Sequence, residues 1–163
     1  MQTALFLSRV AAALLAPIAA HAASSAQGQA MSIVRNGEQP AIMGAPGDFT
    51  GNARIDPLMA ARAPSTVSAG QVTFQPGGRS VWHTHPKGQT LVVTAGTGWV
   101  QQEGAQKTPI KPGDVIWTPP GVKHWHGATA TTGMSHIAIQ EALDGKNVEW
   151  LEPVSAADYE ASR

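Results

Sequence analysis

From Val67 onward the chain falls into short β-rich runs separated by Gly and Pro punctuation. The runs are Val67–Phe74, Ser80–Thr84, Thr90–Thr94, Gly98–Gln102, Asp114–Thr118, His124–Ala128 and Met134–Glu141. Turn signals divide them at Pro76-Gly77-Gly78, Gly96-Thr97-Gly98, Pro112-Gly113-Asp114 and Pro119-Pro120-Gly121. Short strands at regular spacing with such turns predict an all-β sandwich or barrel. Alternation is clearest in the last run. There His136, Ala138 and Gln140 share one face, while Ile137 and Ile139 share the other. The apolar side is expected to pack outward and the His/Ala/Gln side to line a small polar cavity. Before Val67, residues 39–62 carry Pro40, Gly44, Pro46, Gly47, Gly51 and Pro57 and read as loop with short extended pieces such as Ala53-Arg54-Ile55. No amphipathic helix of useful length is expected after residue 30, and Asp158 to Arg163 reads as a frayed end.

The first residues have a different texture. Arg9 precedes an apolar run, Val10 to Ala20, that is too short for an ordinary membrane span, and Ala20-His21-Ala22 fits a small-x-small cleavage pattern. Residues 1–22 are therefore expected to be a secretory signal peptide, making the mature protein secreted or periplasmic, with no membrane association after cleavage. The expected organisation is a flexible N-terminal segment over 23–48, a β-barrel over 49–152 and a C-terminal tail over 153–163. A chain of 163 residues accommodates one such domain with a real core.

Composition removes several functions. Lys plus Arg balance Asp plus Glu at 11 each, and no basic patch points to nucleic acid. There is no cysteine, so disulfides, thiolate ligands, zinc fingers and iron–sulfur sites are excluded. Any metal must be held by nitrogen and oxygen.

Histidine supplies the nitrogen. Five of the six histidines fall between His83 and His136, four of them as the pairs His83/His85 and His124/His126, with Gln89 four residues beyond the first pair. Alternation along a strand aims both imidazoles of a pair to one side. Imidazoles converging from two strands are what a divalent metal needs. By the same argument Trp82 and Trp125, which alternate with these histidines, point away from the metal and into packing.

The residues also resemble a known family. Gly77-x5-His83-x-His85-x3-Gln89-x6-Gly96 looks like the first motif of the cupin superfamily, and Gly113-x5-Pro119-x-Gly121-x2-His124 resembles the second. The resemblance implies a double-stranded β-helix, or jelly-roll, barrel with His83, His85, Gln89 and His124 as metal ligands. Two positions depart from the usual pattern: Gln89 stands where Glu is common, and Ala128 where the second motif ends in Asn. Three neutral imidazoles and a neutral amide leave the charge of a dication undiminished, which favours stabilising an alkoxide, enolate or cyanide. A His3Gln set with open positions suits Mn(II), Fe(II), Ni(II) or Zn(II).

Within the cupins, the segments around Phe49-Thr50-Gly51, Arg54-Ile55-Asp56-Pro57-Leu58, Trp82–Thr90, Pro119–Thr129 and His136–Glu141 are similar to the bacterial cupin-type hydroxynitrile lyases. That likeness implies a manganese-dependent lyase that cleaves cyanohydrins to an aldehyde and cyanide and runs in reverse. It implies that His126, His136 and Gln140 line the reaction pocket, and that the protein is a homo-oligomer, a dimer or tetramer. His136, assisted by Gln140, is the expected acid/base, and His126 the group that orients the leaving anion. Three rivals stand beside this. A uronate or sugar ring-opening enzyme would need Arg79, Arg54 or Lys123 in the lumen. An Fe(II) dioxygenase would consume oxygen. A binding module would hold metal or a small ligand without turnover.

Overall fold

Among the described residues every strand pairs antiparallel, and the strands sort into two sheets. The structure is a computed structural model that describes residues 30–161, and the unit that carries the strands begins at Ile33. The segment read as a signal peptide lies outside the described residues. In chain order the strands are β1 (Ile42–Met43), β2 (Phe49–Thr50), β3 (Ala53–Met59), β4 (Val67–Phe74), β5 (Arg79–Ser80), β6 (His83–Thr84) and β7 (Gln89–Gly96). There follow β8 (Gly98–Gln102), β9 (Thr108–Ile110), β10 (Val115–Thr118), β11 (His124–Ala128), β12 (Met134–Glu141), β13 (Glu149–Trp150) and the helix α1 (Ala156–Glu160).

One sheet has the order β1-β3-β4-β12-β7-β10. The other runs β13-β6-β11-β5-β2, with β8 also pairing β11 and β9 pairing β8. Neighbours in sequence are thus often in opposite sheets, as the expected jelly-roll barrel requires. The core between the sheets joins Val72, Phe74, Leu91, Val93, Met134 and Ala138 from the first to Ile110 and Ala128 from the second. On β12 the expected alternation holds: Met134, His136 and Ala138 are buried, while Ser135, Ile137 and Ile139 are half-exposed. A second cluster, Trp82, Trp125 and Val154 with Trp99, Leu151 and Tyr159, packs away from the histidines.

Three features differ from the pattern reading. Ala53 begins a full strand rather than a short extended piece. Pro57 stands within that strand where it lacks an N–H to donate, and the register shifts between Pro57 and Met59, the kind of irregularity at which a strand tolerates proline. Pairing also starts before residue 49, because Ile42 and Met43 lie against Ile55 and Arg54. Finally, the chain end is not frayed from Asp158. Ser155 caps a single helical turn, its Oγ accepting from the Asp158 N–H at 3.0 Å, and Tyr159 Oη donates to the Ala128 carbonyl at 2.9 Å. The Arg79 guanidinium lies 4.2 Å from the centre of the Tyr159 ring. The Ser-x-x-Asp spacing at Ser155 is a legible cap signal.

Candidate metal centre

His83 on β6 lies directly opposite His124 on β11 in the antiparallel register, so both imidazoles leave the same face of the sheet, 4.2 Å between ring centres. His85 lies just past the end of β6. One ring nitrogen from each of His83, His85 and His124 lies within 4.8 Å of the others, and all three residues are buried. Their Nδ1 atoms are committed to backbone carbonyls: His83 to Val81 at 2.9 Å, His85 to Asn147 at 2.5 Å and His124 to Val122 at 3.0 Å. A carbonyl only accepts, so each Nδ1 carries the proton and each Nε2 keeps its lone pair. The buried Nε2 of His85 has no partner at all.

Gln89 comes from the opposite sheet, at the first position of β7. The chain reverses between His85 and Gln89 in a tight turn closed by the Gly88 N–H to the His85 carbonyl at 3.2 Å. Gly88 holds φ at 79°, and a Cβ there would lie 2.5 Å from the Trp117 ring, so the turn admits only glycine without strain. The Gln89 Oε1 sits 3.1 Å from His124 Nε2. Both atoms are acceptors when His124 carries its proton on Nδ1. Two lone pairs held that close call for a cation between them. The three imidazoles, the unpartnered Nε2 and this acceptor pair fit a divalent metal held by three nitrogens and one oxygen.

A cavity of about 210 Å³ opens on these groups. Its walls include Phe49, Ile55, Val72 and Trp150, with His83, His85, Gln89, His126 and Gln140 as polar members. His126 and Gln140 therefore reach the cavity, as the resemblance implies. His136 does not stand on its lining. It is fully buried one step behind, its Nε2 3.1 Å from His126 Nδ1, and its own Nδ1 lacks a partner. Alternation along β12 places His136 on the correct face but cannot show that His126 intervenes.

Burial is the main force on all five imidazoles. It holds His124 and His136 down at about 4, and His85 below its ordinary range. His83 and His126 are pushed well below it, with charge repulsion from neighbouring imidazoles adding to burial. The cluster is neutral at pH 7, as a metal requires of its ligands.

The basic residues that a uronate would need are engaged elsewhere. Arg54 pairs with Asp56 at 2.7 Å, Lys123 bridges Glu103 and Glu152 on the surface, and Arg79 donates to the Gly77 and Val154 carbonyls. None of the residues lining the cavity is cationic. Sequence pattern does not reach Asn147, whose carbonyl orients His85, or Phe49 and Trp150 as cavity walls. No motif marks Asn147 or Trp150, and the likeness around Phe49-Thr50-Gly51 does not say that Phe49 reaches the cavity, since the loop after β12 and the strands β13 and β2 gain their place only through tertiary packing.

Comparison with known proteins agrees with this architecture. Residues 70–139 match the family described as a cupin domain. An (R)-mandelonitrile lyase from Granulicella tundricola is 56% identical over 129 residues, spanning 79% of this chain and 98% of that protein. The chain is a cupin. A crystal structure of a cupin-like protein from Thermotoga maritima superposes on this cupin with a TM-score of 0.69 at 35% identity, covering 79% of this chain and 95% of that one. A cupin 2 conserved barrel domain protein from Rhodopseudomonas palustris shares the fold, at a TM-score of 0.59 and 16% identity over 78% of this chain and 87% of that one.

Proposed function

We propose that this cupin is a metal-dependent lyase that cleaves cyanohydrins to an aldehyde and hydrogen cyanide, and forms them in reverse. One observation carries the reading. Three buried imidazole nitrogens and an amide oxygen converge at the polar side of a small, largely apolar cavity, in a chain 56% identical to a mandelonitrile lyase. The proposed ligands are His83, His85, Gln89 and His124, and the proposed ion is Mn(II), with Fe(II), Ni(II) and Zn(II) as the other ions that suit the donor set. Bound there, a divalent ion supplies Lewis-acid stabilisation of developing negative charge, undiminished by any carboxylate among its ligands.

The residues divide the remaining work. The apolar walls receive the organic side chain and exclude water. His126 meets the substrate and accepts the hydroxyl proton at Nε2 as the bond to cyanide breaks. His136 stands behind it as the relay. In the tautomer where His126 Nδ1–H donates to His136 Nε2, the cavity-facing Nε2 is free to accept, and the charge formed spreads over two rings. Because burial makes these imidazoles weak bases, the proton passes on readily to the departing cyanide. The oxygen and nitrogen of Gln140 orient the polar end of the cavity. These assignments move to His126 the acid/base role that the sequence reading gives to His136. They follow from which ring borders the cavity.

The test is mandelonitrile cleavage with metal content measured on the same samples. His126→Ala is expected to lose about 10²- to 10⁴-fold in kcat at unchanged metal content. His136→Ala is expected to lose less. Full activity of His126→Ala would remove it from the chemistry, and elemental analysis of natively purified protein identifies the ion. The pattern in residues 1–22 supports export to the periplasm or beyond, testable by fractionation. The family likeness supports a homo-oligomer, testable by light scattering.

A further inference from the structure

One interior rung of the first sheet holds an unusual row of polar side chains. Ser68 on β4 lies opposite Gln140 on β12, and Gln140 lies opposite Gln89 on β7. The three are linked in that order. Gln140 Nε2 donates to Ser68 Oγ at 3.1 Å, and Gln89 Nε2 donates to Gln140 Oε1 at 3.5 Å. Asn147 Nδ2 also donates to Ser68 Oγ, at 3.4 Å. The single hydroxyl proton of Ser68 goes to the Gln140 backbone carbonyl at 3.4 Å.

Polarity propagates along this row. A hydroxyl has one proton and two lone pairs. The proton of Ser68 faces a group that can only accept, so the side chains around it meet lone pairs alone. Gln140 must then turn its NH2 to Ser68 and its Oε1 to Gln89. Gln89 in turn must present its NH2 to Gln140, which leaves its Oε1 facing His124 Nε2. With the first link removed, Gln140 can flip, and Gln89 can follow with NH2 toward the imidazoles, where it cannot ligate.

We propose that Ser68 is a positioning residue for the metal centre, setting through Gln140 which atom of the Gln89 amide faces the three imidazoles. This rests on the metal-centre reading above, and it adds a residue from a strand that supplies no ligand.

The test uses the full-length mature protein with cobalt(II) as the probe. Affinity is read by competition with a chromophoric chelator, and the donor set by the visible absorption of the bound ion. Ser68→Ala is expected to bind cobalt about 3- to 10-fold more weakly, with a changed spectrum. Ser68→Thr, which keeps the hydroxyl, is expected to retain affinity and spectrum. Its isostere Ser68→Val should reproduce the alanine result, and covers the case in which alanine folds poorly. Gln89→Ala provides the reference for a lost amide oxygen. In the Gln89→Ala background, Ser68→Ala should have no further effect. Wild-type affinity and spectrum in both Ser68→Ala and Ser68→Val would overturn the proposal while leaving the metal centre standing. So would an undiminished effect of Ser68→Ala in the Gln89→Ala background. Failure of the wild-type protein itself to bind cobalt would overturn the metal reading and this proposal with it.

Discussion

Acid should unfold the metal-free protein, and His136 should account for a measurable share of the loss. Burial holds this imidazole at about 4, against 6.5 for the free side chain. At pH 5 the unfolded chain therefore carries a proton here that the folded chain does not. Because the unfolded state binds more protons, stability falls as pH falls below about 6.5, and the loss levels off below about 4, where both states are charged. Between pH 7 and pH 5 the single group removes on the order of 2 kcal/mol. That is a large fraction of a typical total of about 5–15 kcal/mol. His83, His124 and His126 shift in the same direction for the same main cause, so their effects add to it. The assay is urea unfolding of chelator-treated protein, followed by tryptophan fluorescence at pH 7 and pH 5. The comparison is with His136→Gln, whose amide oxygen can still accept from His126. The wild type should lose about 2 kcal/mol more than the variant between the two pH values, about 1 M in urea midpoint. Equal losses would refute the claim that a buried neutral imidazole at this position sets the acid limit.

Other expectations concern the site and its frame. Gln89→Glu places a carboxylate where a neutral oxygen stands 3.1 Å from His124 Nε2, and should strengthen metal retention by on the order of tenfold or more while lowering turnover. Weaker retention in chelator competition would contradict it. Gly88→Ala forces a residue with a Cβ into φ 79° against Trp117 and the Thr118 carbonyl, and should cost about 2–3 kcal/mol, or roughly 5–10 °C in thermal midpoint. Tyr159→Phe removes the hydrogen bond to the Ala128 carbonyl and should cost about 1 kcal/mol in urea unfolding, with no change in metal content. An unaltered midpoint would mean that this hydrogen bond contributes nothing to holding the C-terminal turn on the second sheet.

Four strands can be delimited from pattern and turn signals alone. Val67–Phe74, Gly98–Gln102, His124–Ala128 and Met134–Glu141 have the bounds that the sequence predicts. Ser80–Thr84 is legible as extended chain but not as two strands, because its break at Val81 and Trp82 comes from pairing with β11 and β13. β9 and β13 are too short and too polar to announce themselves. They exist because a partner strand is already in place. The ligand-bearing histidines can be read from spacing, since strand alternation is a local rule. The order of His126 and His136 around the cavity cannot, since it depends on how two sheets face each other. The contribution of Asn147 through its carbonyl is also invisible, because a backbone oxygen has no residue type.

The four donors do not come from one layer. His83, His85 and His124 hang from β6, its end and β11, whereas Gln89 begins β7 on the facing layer. An ion gripped by all four would act as a rivet through both layers. Pulling the layers apart would mean breaking coordinate bonds, so the filled protein should outlast the empty one under heat or protease by a margin that grows with metal affinity. In a chain without a single cysteine, such a rivet would supply the kind of cross-link that a disulfide gives elsewhere.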